Sequence, residues 1–161
     1  MSDSNNKHSI SLTKKQYFTL MKAAYLGNWL ANAHHDGKPG NERNKEIEDA
    51  ENIILSFAKQ FGFDKYVDDE LADEGQYFPT RIFDETLGLM EIIEEYDDNT
   101  FWDKIVERLA QRDFERQYSL EKIRQMTDED RINKLYVHID KWAEEINTNS
   151  LDNITINEKK K

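Results

Sequence analysis

Apolar residues recur at helical spacing through most of the chain, and the breaks between runs fall where turn formers cluster. From Thr13 to about His34, the residues Tyr17, Phe18, Leu20, Met21, Ala24, Tyr25, Leu26, Trp29, Leu30 and Ala33 cover most of a helix circumference. A helix apolar nearly all round sits at the centre of its bundle. Thr13 offers an N-cap, with Gln16 three places on as partner in a capping box. Asn28, Asn32 and His35 follow i, i+4, i+7 and form one polar stripe on this helix.

The stretch "HDGKPGN" is dense in turn formers and ends the first helix. Asn41 is expected to cap the second, in which Ile47, Ala50, Ile54, Phe57, Ala58 and Phe61 mark one apolar face. Gly62 follows where a left-handed C-terminal residue is wanted. Within residues 63–79, "KYVDDELADEG" is expected to hold a helical turn. "QYFP" is then extended, because the residue before proline avoids the helical region. Thr80 caps a third helix with Phe83, Leu87, Met90 and Ile93 inside, and "EEYDDN" is expected to end it. Asn99 or Thr100 would start a fourth, carrying Trp102, Ile105, Val106, Leu109 and Phe114. Ser119 opens a short fifth segment, "LEKIRQM". Thr127 followed by "DED" places a cap and acidic side chains at a positive helix end. The last helix has Ile132, Leu135, Tyr136, Ile139, Trp142, Ala143 and Ile146 on one stripe.

The pattern predicts an all-α, single-domain bundle of five to six helices over 11–147. Residues 1–10 read as a flexible tail. Residues 148–161 read as a loosely docked or flexible tail, in which the alternation at Ile154 and Ile156 allows a short strand.

Composition narrows the function classes. The 161 residues suit one domain, and a chain of that size buries roughly 70% of its unfolded surface. Three Trp, seven Tyr and eight Phe supply large core side chains. The net charge of −11 disfavours nucleic acid and anionic membranes as partners and favours a cationic one. With no cysteine, disulfides, thiolate metal sites and cysteine nucleophiles are excluded. The polar start "MSDSNNKHS" and the lack of a long apolar run lead to the expectation of a cytoplasmic protein.

Four patterns carry candidate chemistry. His34, His35 and Asp36 resemble the His-Asp pair of HD-type phosphohydrolases, all-helical metal enzymes, and His with carboxylate suits Mn²⁺, Fe or Zn²⁺. Adjacent helical residues point about 100° apart, however. The preferred reading is a helix end at which protonated histidines complement the dipole. Glu48 with Glu51, and Glu91, Glu94 and Asp97, resemble the acidic motifs of MazG-type pyrophosphohydrolases, which hold Mg²⁺ over a nucleoside triphosphate. Against this, Glu51 sits at the edge of the Ile47–Ile54 stripe and Glu48 faces away from it. A solvated acidic face is preferred.

Lys104, Arg108, Arg112 and Arg116 recur every four residues. They form either an anion ridge or, as preferred, partners for Glu91, Glu94, Glu95 and Asp98. Asn28, Asn32 and His35, with Glu51 as a possible partner, form either a small ligand pocket or, as preferred, a satisfied network that fixes helix register. The phosphate loop, the dinucleotide fingerprint, the zinc helix motif and the nucleophile elbow are missing from the sequence.

The phrases "YLGNWLANAH", "YFPTRIF" and "EEYDDNTFWDKIVERLAQRDF" resemble a family of small uncharacterised bacterial proteins, from about Leu12 to Ile156. The resemblance implies one cytoplasmic helical domain and carries no catalytic residue across.

The resulting expectation is a non-catalytic helical protein acting through a protein partner or self-association, with no cofactor. Tyr66, Tyr77, Phe78 and Tyr118 are expected to be exposed aromatics able to anchor an interface. One alternative is a metal-dependent nucleotide phosphohydrolase using Mg²⁺ or Mn²⁺. Its residues would be Glu51, Glu94 and Asp97, or His34, His35 and Asp36. Another is an acidic DNA mimic that inhibits a basic protein.

Overall fold

The computed structural model describes residues 8–155. Six α-helices dominate these residues, with one two-stranded sheet, so the chain is mostly helical. Its contacts cluster into two compact units, Met1–Ile93 and Glu94–Lys161. Residues 1–7 of the expected N-terminal tail and residues 156–161 of the C-terminal one, Ile156 included, lie outside the described residues. No helix among the described residues is long and apolar enough to cross a membrane.

The first unit is built on α1 (Lys14–Asn32) and α2 (Lys45–Ser56). Thr13 closes the predicted capping box: Gln16 N–H donates to Thr13 Oγ1 at 3.3 Å, and Thr13 N–H donates to Gln16 Oε1 at 2.9 Å. The N-cap of α2 is Asn44, not Asn41 as expected. Asn41 instead holds the preceding loop, donating to His34 O and to Asp36 Oδ1. An Asx side chain can serve a turn as well as a helix, and here the loop runs three residues longer before helical geometry begins.

Packing against α1 also turns α2 relative to its expected face. Its buried positions are Glu51 and Leu55, continued by Ala58, whereas Ile47 and Phe57 are exposed. The buried row 51–55–58 has helical spacing of its own. A carboxylate therefore occupies a core position, which hydrophobicity alone does not anticipate.

Ala58–Phe61 continues as a turn of 3-10 helix, ended by Gly62 at φ 71° as predicted. Residues 63–79 hold more than the expected turn. A short 3-10 turn at Asp64–Tyr66 leads into β1 (Val67–Asp68), which pairs antiparallel with β2 (Phe78–Pro79), and a second 3-10 turn at Ala72–Glu74 lies in the connection between the two strands. The core of this unit includes Tyr17, Met21, Leu55, Phe83 and Leu89. Aromatic rings interlock around it: Tyr17 stacks on Phe61 at 4.1 Å, and Tyr25 meets Phe83 edge-on at 5.4 Å. The Tyr17 hydroxyl donates to Ile54 O at 2.6 Å, and burial pushes its pKa up to about 12.

The expected break at "EEYDDN" is absent. The chain breaks earlier, at Gly88 with φ 66°, between a short α3 (Arg81–Thr86) and the 29-residue α4 (Leu89–Gln117). A positive φ suits glycine and strains other residues. The polar residues at 95–102 serve the helix: Asn99 Nδ2 donates to Glu95 O and Trp102 Nε1 to Asp98 Oδ1, each four residues back.

The second unit holds most of α4, then α5 (Leu120–Gln125) and α6 (Asp128–Asn149), capped by Ser119 and Thr127 as predicted. Ala110, Phe114 and Ile146 are buried in it. Phe114 packs against Tyr118 and edge-on to His138. Of the expected α6 stripe, Ile132 and Tyr136 are exposed. After α6, Asn149 and Asn153 both donate to Glu145 Oε1.

The basic stripe does not pair as expected. Lys104 pairs with Glu107, and Arg112 and Arg116 both pair with Asp113. The continuous α4 explains this. At about 1.5 Å per residue, Glu94 and Lys104 lie about 15 Å apart along one rod, with no turn to fold them together.

Candidate functional site

Four residues of one α1 face, Tyr25, Asn28, Trp29 and Asn32, follow i, i+3, i+4, i+7 and point the same way. With Glu48, Glu51 and Asn52 of α2 and with Tyr77–Pro79, they line a pocket of about 480 Å³ within the first unit. This lies inside the range of roughly 300–1,000 Å³ typical of small-molecule sites.

A hydrogen-bond chain runs along the pocket. Asn44 N–H donates to Asn32 Oδ1 at 2.6 Å, Asn32 Nδ2 donates to Asn28 Oδ1 at 2.6 Å, and Asn28 Nδ2 donates to Glu51 Oε2 at 2.5 Å. Asn32 is only 3% exposed. Its amide also donates to Asn44 O at 3.3 Å, so this one side chain ties the end of α1 to the start of α2. The α2 N-cap is thereby part of the site.

Glu51 ends the chain differently. It is 7% exposed, and its Oε1 is buried without a hydrogen-bond partner among the described residues. Such an acceptor carries a desolvation cost of about 1–3 kcal/mol. Burial pushes the Glu51 carboxyl up to about 7, opposed by the Asn28 hydrogen bond and by Arg43, and helped by the charges of Glu48 and Asp84. Arg43 is held on Glu48 at 2.5 Å. Tyr25 links the α1 face to α3. Burial above all, with the neighbouring Asp84 carboxylate and the charge of Glu51, pushes its hydroxyl up to about 12. Asp84 Oδ1 is a second buried acceptor without a partner among the described residues.

Of the sequence-predicted cluster, Asn28, Asn32 and Glu51 are joined directly. His35 lies beyond the end of α1, is exposed, and lines the same pocket. The residues of the metal alternative are placed otherwise. His34, His35 and Asp36 lie in an exposed loop, where Lys38 and Asn41 bond the Asp36 carboxyl and hold it below its usual range. Glu94 and Asp97 are exposed on α4 in the second unit. Among the described residues, no three His, Asp or Glu side chains are gathered as a metal ion would require. Of the four aromatics expected to be exposed, Phe78 is. Tyr66, Tyr77 and Tyr118 are half-buried, Tyr66 against Phe18 and Phe83 and Tyr118 against Phe114.

Sequence reasoning missed Tyr25 and Trp29 because both were assigned to the core. Their spacing with Asn28 and Asn32 was a readable signal. Asp84 and Arg43 carried no such signal, since only the fold brings α3 and the α1–α2 loop beside Glu51.

No protein-family model matches this chain, and it has no significant match among curated proteins or solved structures. The resemblance to small bacterial proteins therefore rests on the quoted phrases alone.

Proposed function

We propose that this protein acts by binding, without catalysis, and that its recognition element is the pocket between α1 and α2. The observation that carries the reading is the Glu51 carboxylate: a buried acceptor atom left without a partner in a side chain that lines an open pocket. A closed network that served only to fix helix register would spend both oxygens on donors. Here Asn28 donates to one oxygen, and the other, closed off from solvent, has no donor among the described residues, so a ligand donor that draws the carboxyl toward the pocket would satisfy it. The test is titration of ¹⁵N-labelled protein with a fragment library. The Trp29 indole and the amides of 25–33, 48–52 and 77–78 are expected to shift together. If no fragment at millimolar concentration moves this set, the proposal fails.

A protein partner or a second copy of the chain is the second reading, favoured by one feature of α6. Ile132 and Tyr136, four residues apart, are neighbours on its surface and are 49% and 56% exposed. Clustered exposed apolar side chains mark contact surfaces more often than isolated ones do. Light scattering on the intact chain and on Tyr136→Lys tests self-association. A species that is monomeric at every concentration would count against it.

A further inference from the structure

The lining of the pocket restricts what can enter it. Glu48 and Glu51 both line it, and the charge of Asp84 reaches Glu51 from α3. Of the two basic side chains among the lining residues, Arg43 is already engaged by Glu48, and His35 lies beyond the end of α1. The N-terminus of α2 would otherwise attract an anion, but it is closed by its own Asn44 cap and carries Glu46 and Glu48 in its first turn. An anionic ligand would therefore meet an excess of carboxylates. Around this acidic centre stand Tyr25, Trp29, Tyr77 and Phe78, and aromatic faces attract positive charge through their quadrupoles. The unspent Glu51 Oε1 needs a donor.

We infer that the ligand of this pocket is a small organic cation with N–H donors, an amine, amidine or guanidine. Its N–H bonds the Glu51 carboxyl, which turns its donor-less Oε1 toward the pocket as the ligand enters, and its charge lies against the aromatic wall. This rests on the pocket-binding reading above and names the class of ligand within it. Binding such a cation favours the ionised Glu51, so any proton on the carboxyl is released to solvent as the ligand enters. Affinity then rises with pH through the range in which Glu51 titrates. Tyr25, Glu48, Asp84, Arg43 and His35 also face or flank the site. The Glu51→Gln variant isolates the carboxyl from these groups.

The experiment uses benzamidine, neutral benzamide and anionic benzoate, matched in shape, titrated into the intact chain with the Trp29 indole resonance as readout. Benzamidine is expected to bind about tenfold or more tighter than benzamide, the difference a charge-assisted hydrogen bond makes. Its affinity should rise from about pH 6 to about pH 8. In Glu51→Gln the preference should fall to about twofold or less and the pH dependence should flatten. If benzamide or benzoate binds as tightly as benzamidine to the wild-type chain, the cation inference is overturned and the pocket reading stands. If none of the three moves the pocket resonances while the fragment library does, the cation inference is again overturned. If neither the three probes nor the library moves them, both readings are overturned. The comparison of the three probes needs no variant, so it holds even if Glu51→Gln folds poorly.

Discussion

Asn28 of α1 donates to Glu51 of α2 across the helix interface, and Glu51 occupies the buried row that Leu55 and Ala58 continue. A carboxylate thus stands in the place of a core aliphatic residue, satisfied on one oxygen and unsatisfied on the other. Hydrophobic burial would stabilise an apolar side chain there by about 1.5–3 kcal/mol. Retaining a carboxylate in such a place is what a binding role would explain.

The first prediction concerns pH. Unfolded, Glu51 titrates near its ordinary 4.5; folded, it titrates at about 7. The folded state holds the proton more tightly. This contribution to stability is therefore fully present below about pH 4.5 and is lost as the pH rises through about 7. The loss is on the order of 3 kcal/mol. Glu51→Gln has nothing to titrate, so it should gain stability relative to wild type between those limits. Urea denaturation of both proteins across that range checks this, and parallel profiles would contradict it.

Asn32→Ala should cost about 1–3 kcal/mol, because it leaves the Asn44 N–H and Asn28 Oδ1 without their partners. It should also loosen the start of α2. Hydrogen exchange at the amides of Asn44 and Ile47 would show faster opening in the variant. Unchanged protection would mean that the network is not what holds that end.

Gly88→Ala tests the break between α3 and α4. Space is not limiting, since an added Cβ would come no closer than 3.8 Å to Glu91 Oε2. The cost is conformational, about 1 kcal/mol for a non-glycine residue held at positive φ. Thermal denaturation should show a modest fall in Tm. No change would mean that the chain passes the break another way.

In the second unit, Asp113 accepts from Trp142 Nε1 at 2.9 Å and pairs with Arg112 and Arg116. The Arg112 hydrogen bond above all, with those of Trp142 and the arginine charges, holds its carboxyl below the usual range. A depressed folded pKa contributes stability that is present above the unfolded value and is lost as the pH falls through the folded one. Asp113→Asn should therefore destabilise the chain at neutral pH by about 1 kcal/mol, with the gap closing in acid. Trp142 fluorescence during denaturation follows it. An equal gap at both pH values would contradict the assignment.

Much of the local structure was legible before any coordinates. The Thr13–Gln16 capping box, the Ser119 and Thr127 caps and the Gly62 stop all depend on a few neighbouring residues, and all are observed. The α3–α4 break falls at Gly88 and not at "EEYDDN", because a glycine at positive φ is a stronger stop than a run of acidic residues. Asn28 and Asn32 stood out as amides on an apolar helix, because a buried amide must find partners.

What the sequence determined by itself is therefore the mostly helical class, most of the caps, and the Asn28–Asn32 face, since each is set by spacing along a single segment. Only the tertiary structure decided that Glu51 is the buried centre of its helix rather than its edge, and that Asp84 and Arg43 flank it. The rotation of α2 about its axis is fixed by packing against α1, and a rotation of one residue, about 100°, moves a carboxylate from solvent into the core.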